Sequence, residues 1–373
     1  MERVRTGDPP LTEDGPAAGG GPARMGRDED LVTALLGAWL VAGLFVDGWA
    51  HNTRPGLETF FTPWHALFYS GFAAIAAWMG WSVWRRRPAA RSWRAAVPAG
   101  YGLGLAGTAI FLVSGIGDMS WHLAFGIERD IAALLSPTHL GLFLGAFLIV
   151  TTPLRSAWAD PALGRRTGLG RLLPAVLSVT VAGCLTAFMF QYLHPVDENV
   201  VSIGHAQSLA QDFTEFQYPF VWRLAVQGGI TGFVLTTAWL FGPLLFLLRR
   251  WRPPAGSAAI TLGVQCVLMQ AVTGFEDTGL AVLGLMGAAV VEALLAALRP
   301  ADPPRRRLRV FCAAAPVGFW GVYLGGITLG DRGLGWKPEL WGGALVWSSL
   351  TLLALGMVMF PPPVPVESAR RQA

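Results

Sequence analysis

Apolar stretches of about 20 residues, the length that crosses the hydrocarbon core of a bilayer, recur along the whole of this 373-residue chain. A backbone in hydrocarbon must satisfy its own N–H and C=O groups, so these runs are helices rather than strands. Ten are predicted, at 31–50, 63–84, 97–117, 137–155, 171–193, 222–248, 257–275, 279–298, 308–329 and 341–360. The expected fold is all-α, a polytopic helical bundle embedded in a lipid bilayer. Hydrophobic residues make up 53% of the chain and charged ones 14%, which agrees.

The basic residues predict the orientation. All of the 28 lysines and arginines except Arg54, Arg129, Arg223, Arg332 and Lys337 fall on one side of the predicted helices. The positive-inside rule assigns that side, with both termini, to the cytoplasm. All six histidines fall on the other side. The formal charge of +4 therefore reflects topology and gives no reason to expect a nucleic-acid partner. Residues 1–30 are rich in Gly, Pro and charge and read as a disordered cytoplasmic tail. Residues 361–373, which open on three prolines, read as a second one. Between them, 31–155 forms helices 1–4 and 156–360 the other six. A chain with Lys337 as its sole lysine, and rich in Ala and Gly, suggests GC-rich coding and hence a bacterial plasma membrane. Cys184, Cys266 and Cys312 stand singly in separate helices. They offer no disulfide framework and no soft Cu(I) site.

Four of the six histidines belong to a pattern written twice. Asp47 and His51 are followed by Thr62-Pro63-Trp64-His65; Asp118 and His122 are followed by Ser136-Pro137-Thr138-His139. Helices 1–2 and 3–4 thus read as a parallel repeat of one hairpin. The i, i+4 spacing puts each Asp and its His on one helix face. Thr or Ser is a good N-cap and Pro is favoured at N1, which sets His65 and His139 in the first turn of their helices. One carboxylate and two imidazoles form a usual N/O ligand set for a transition metal, so Asp47, His51, His65, Asp118, His122 and His139 are candidate metal ligands. The loop acids Glu58, Glu128 and Asp130 are candidates to orient the His rings. The bland alternative is a solvated Asp–His pair at a helix end; the recurrence argues against it. Trp49, Trp64 and Trp121 read as interfacial belt residues.

At these residues the chain resembles the C subunit of the particulate methane and ammonia monooxygenases, the copper membrane monooxygenase family. The family motif runs D-x-x-W-H, then R-D, then F-T-P-S-H. The second copy reads Asp118-Met-Ser-Trp-His122, Arg129-Asp130 and Ser136-Pro-Thr-His139. The first reads Asp47-x-x-x-His51 and Phe61-Thr-Pro-Trp-His65. The likeness is distant and covers helices 1–4 only. It implies that Asp118, His122 and His139, and through the repeat Asp47, His51 and His65, ligate copper, with zinc or iron as alternatives. It also implies oxidation of a small apolar substrate with O2, and partner subunits or a quinol donor.

Other polar residues are weaker candidates. His194 and His205 lie in the long outer loop 194–221, whose stretch 202–217 reads as a short amphipathic helix, a candidate lid. Glu276 and Asp277 share a tight outer turn, and Glu292 lies inside helix 8, where an acid is costly and by default functional. Two functions compete with a copper oxygenase. One is non-catalytic copper or zinc binding, sensing or import; the other is a metal-free scaffold in which Asp and His only pair with each other. Homo-oligomerisation stays open.

Overall fold

The computed structural model describes residues 23–54, 61–126, 130–330 and 333–361. Ten long helices carry the architecture: α1 (Arg27–Thr53), α2 (Pro63–Arg86), α3 (Gly102–Phe125), α4 (Pro137–Val150), α5 (Leu169–Met189), α6 (Tyr218–Arg250), α7 (Ser257–Val272), α8 (Thr278–Leu298), α9 (Arg306–Leu329) and α10 (Pro338–Met359). Each falls on a predicted apolar run. Among the described residues no strand forms; Ser202 and Leu334 make an isolated bridge. Among the described residues, nine helical segments are long and apolar enough to cross a membrane; α7, at 16 residues, is shorter. The chain is a helical, multi-pass membrane protein.

Several helix boundaries differ from the sequence expectation, and α1 takes in Arg27–Asp30 of the expected disordered tail; some of the differences have a local reason. The run 137–155 breaks at Thr151 and resumes as Thr152–Ala159. Pro153 has no N–H to donate and its ring crowds the carbonyl one turn back. The third helix begins at Gly102 rather than 97 because Pro98 and the left-handed Gly100 (φ 85°) turn the chain first. It also runs on to Phe125, so Asp118 and His122 lie inside it. Helix α7 ends early, where Gly274 and Phe275 adopt positive φ.

Two large apolar cores fill the bundle, and a smaller one lies around Leu172, Val176, Leu247 and Trp251. One large core is built by α1–α5 with the end of α7, around Leu40, Phe45, Phe68, Phe111, Ile149 and Phe188. The other is built by α6–α10, around Phe233, Phe241, Phe319 and Trp320. Within the first, each hairpin closes on a reciprocal pair of glycine contacts. A Cβ on Gly43 would lie 2.8 Å from Phe68 Cα, and one on Gly71 would lie 2.7 Å from Leu40 Cα. In the second hairpin a Cβ on Gly107 would lie 2.7 Å from the Gly145 carbonyl, and one on Gly145 would lie 2.7 Å from Phe111 N. In lipid, such close backbone approach supplies the dispersion energy that holds helices together.

At the opposite end of α1 from Asp47, a buried polar network pins the four-helix unit. Asp30 accepts hydrogen bonds from Tyr101 (2.8 Å) and Ser156 (2.8 Å). Thr33 pairs with Tyr101 and accepts from Trp78 Nε1. Arg86 pairs with Glu29 at 2.6 Å, and Arg85 also reaches it. Sequence inspection did not single out Asp30, since it sits among ordinary first-turn acids.

Gly145→Ala is expected to destabilise the second hairpin by about 1–3 kcal/mol, the usual cost of overpacking. Gly80→Ala, where an added Cβ meets nothing within 4 Å, is the control and should leave stability near wild type. Thermal unfolding of both variants in detergent or nanodiscs checks the pair.

Candidate metal centre

The repeat places both ligand sets at the same end of the two hairpins. In each, the Asp and first His stand one turn apart near the C-terminal end of the outgoing helix. The second His stands in the first turn of the returning one. The predicted caps are present: Thr62 accepts from His65 N at 3.1 Å, Ser136 accepts from His139 N at 3.4 Å, and a proline opens each helix.

Asp47, His51 and His65 form one cluster and Asp118, His122 and His139 the other; in each, one N or O donor atom per residue lies within 4.8 Å of the others. In the first, His65 Nδ1 is 3.4 Å from Asp47 Oδ1 and His51 Nε2 is 3.9 Å from Asp47 Oδ2. Asp47 and His65 are buried, whereas His51 is exposed. In the second, His122 Nε2 and His139 Nε2 each stand 3.4 Å from Asp118 Oδ1. Asp118 is 1% exposed. The two clusters lie within electrostatic range of each other: Asp47 feels the charge of Asp118, and His51 and His65 feel His122 and His139.

Partners behind the ligands orient the second cluster. His122 Nδ1 faces the Gly126 carbonyl at 3.2 Å and His139 Nδ1 faces Ser136 Oγ at 2.6 Å. Both rings therefore aim Nε2 at the carboxylate, the arrangement metal-bound histidines usually show. In the first cluster Thr62 Oγ1 pairs with His65 Nδ1 at 2.8 Å. Asp47 Oδ1 is buried and accepts no hydrogen bond from any described residue. A buried carboxylate oxygen that accepts no hydrogen bond is costly, and a cation there would offset that cost. The donor sets thus fit a transition metal. Close to ligands of the first cluster in sequence, Trp49 and Trp64 meet edge to face at 5.6 Å, and Arg54 lies over both rings.

The other candidates separate from this centre. Glu58 and Glu128 lie outside the described residues, as does the side chain of Asp130. Helix Ile203–Asp212, within the predicted 202–217, carries His205 and packs on α6, while Ser202 and Ile203 pair with the segment 333–335. Neither His205 nor His194 belongs to either group of donor atoms gathered within 4.8 Å. Glu276 is exposed, and Asp277 accepts from Asn199 at 3.4 Å. Glu292 caps α7, accepting from the backbone N–H groups of Gly256 (3.0 Å), Ala258 (2.9 Å) and Ala259 (3.1 Å). A carboxylate is stabilised at the positive end of a helix, which explains an acid at that depth. The residue sequence inspection missed is Tyr69. It lies one turn after His65, so the i, i+4 rule that paired Asp with His would have put it on the same face. Its hydroxyl donates to Asp118 Oδ2 at 3.4 Å.

Comparison with family models, curated proteins and solved structures finds no match.

His194 is fully buried beside Trp239, and its Nδ1 accepts from Val196 N at 3.3 Å. Burial pushes its pKa down from 6.5 to about 3. Between those values the unfolded chain holds a proton on this ring that the folded chain refuses. Its contribution therefore lowers stability as pH falls below 6.5. His194→Gln should lose less stability than wild type between about pH 7 and 5, a window set by the ordinary histidine pKa, in parallel thermal melts.

Proposed function

We propose that this is an integral membrane metal-binding protein whose two Asp/His/His clusters hold copper at the extracytoplasmic edge of a bacterial plasma membrane. We further propose that it works as a component of a copper-dependent oxidase or monooxygenase acting on a small apolar substrate. The carrying observation is the recurrence: two carboxylate–imidazole–imidazole sets, each with its donor atoms within 4.8 Å of one another, built by two hairpins of the same design. A lone Asp–His contact at a helix end needs no ion. Two gathered triplets, with both Nδ1 atoms of the second tied back and a buried oxygen of the first accepting no hydrogen bond, favour one.

Imidazole and carboxylate accept copper, zinc and iron alike; the resemblance to the copper membrane monooxygenases puts copper first. Asp47, His51 and His65 would hold one ion and Asp118, His122 and His139 the other. Bound copper would supply redox chemistry with O2. The chain's own residues bind and orient the ions and keep one side of them dry: Phe68, Phe72 and Phe111 pack beneath the clusters. Electrons would come from a quinol or a partner subunit. The positive-inside pattern and the parallel repeat support ten crossings with both termini in the cytoplasm.

Metal analysis of the purified protein tests the reading. Wild type should carry stoichiometric copper, and His51→Ala and His122→Ala should each lose part of it while staying folded. Folded wild-type protein that takes up no copper, zinc or iron would overturn it. Oxygen consumption with quinol then tests the enzymatic half: a flat trace at every copper loading leaves a binding protein without oxidase activity.

A further inference from the structure

The two clusters share a ligand set but hold their carboxylates differently. Asp118 is fixed on both oxygens. Thr138 Oγ1 donates to Oδ1 at 3.1 Å and Tyr69 Oη donates to Oδ2 at 3.4 Å. Oδ1 is also the atom 3.4 Å from Nε2 of both His122 and His139. One oxygen therefore faces the imidazole pair while the other is turned toward Tyr69. Asp47 splits its oxygens instead, Oδ1 toward His65 and Oδ2 toward His51.

Tyr69 comes from α2, in the hairpin of the other cluster. Its ring lies parallel to that of His65, with centroids 6.5 Å apart and planes 16° apart. It also packs over Gly115 of α3, where an added Cβ would lie 3.0 Å from Tyr69 Cε1. A single side chain therefore touches a ligand of each cluster. Its position is set by His65 on one side and by the bare backbone of α3 on the other.

We propose that Tyr69 is a positioning residue through which the first hairpin sets the second cluster. By holding Asp118 Oδ2 it limits Asp118 to one ligating oxygen, and the Asp118 cluster becomes the tighter of the two and the first to fill. The Asp47 cluster, with a less restrained carboxylate and the exposed His51, binds more weakly. This rests on the metal reading above. Partners that orient a ligand typically change metal affinity by about 10–100-fold, and a site ordered in advance avoids the cost of ordering on binding.

The test uses Cu2+ alone, with full-length protein in nanodiscs. His51→Ala isolates the Asp118 cluster and His122→Ala isolates the Asp47 cluster. Tyr69→Phe keeps the ring on His65 and removes only the hydroxyl. Added to His51→Ala, it should weaken Cu2+ binding by about tenfold or more and change the Cu2+ electron paramagnetic resonance signal, as loss of an orienting partner does. Added to His122→Ala, it should change affinity by less than about threefold, well under that orienting effect. In wild type, the Asp118 signal should saturate first. An unaltered affinity and spectrum for the Asp118 cluster, equal weakening of both clusters, or earlier filling of the Asp47 cluster would each overturn the proposal while leaving metal binding intact. Wild type that binds no Cu2+ would remove the metal reading and this inference together.

Discussion

The close backbone contact inside each hairpin is the constraint from which the rest follows. Gly43 against Phe68 and Gly71 against Leu40 fix how far α2 slides along α1. Gly107 and Gly145 do the same for α4 along α3. Sliding by one residue moves a side chain by about 1.5 Å along the axis and about 100° around it. A cluster assembled from the end of one helix and the start of the next would not survive that. Glycine contacts deep in the hairpin thus determine whether His65 meets Asp47 and whether His139 meets Asp118. The polar pins at the other end, Asp30 with Tyr101 and Ser156, fix the same register from below.

Much of this was legible in the sequence because the relevant physics is local. Length and apolarity mark helices in lipid, so every predicted run corresponds to an observed helix. The Thr-Pro-x-His and Ser-Pro-x-His caps act within four residues, and the Asp-x-x-x-His spacing acts within one turn. The misses are tertiary. Nothing in 137–155 marks Thr151 as a break except Pro153, and proline is tolerated inside other helices here, as Pro174, Pro243 and Pro316 show. Tyr69 looked like one more aromatic in an aromatic helix; its partner, Asp118, lies on the other hairpin. Asp30 could not be told from Asp28 and Glu29 beside it, because burial alone distinguishes them. The residues themselves carry the proposal of a metal site; the preference for copper over zinc or iron comes from the motif resemblance alone.

The centre also shows how a membrane protein can carry polar groups near its apolar core. Leaving a buried acceptor without a hydrogen bond costs about 1–3 kcal/mol, and the Nδ1 atoms of both histidines of the second cluster avoid it by pairing with a neighbour three or four residues away. Ser136 serves as helix cap and as partner to His139 Nδ1. Gly126, in left-handed conformation at the end of α3, offers its carbonyl to His122. The secondary structure that ends each helix is therefore the same structure that aims each ring.

The commitment of Glu292 to three backbone amides has a consequence for traffic across the bilayer. Past the opening two turns and before the closing turn of each of α6–α10, it is the one described carboxylate, imidazole or basic group, and it is already balanced by the helix it caps. Among the described residues, the middle of α6–α10 therefore holds no unbalanced ionisable group on which a charged solute could pause.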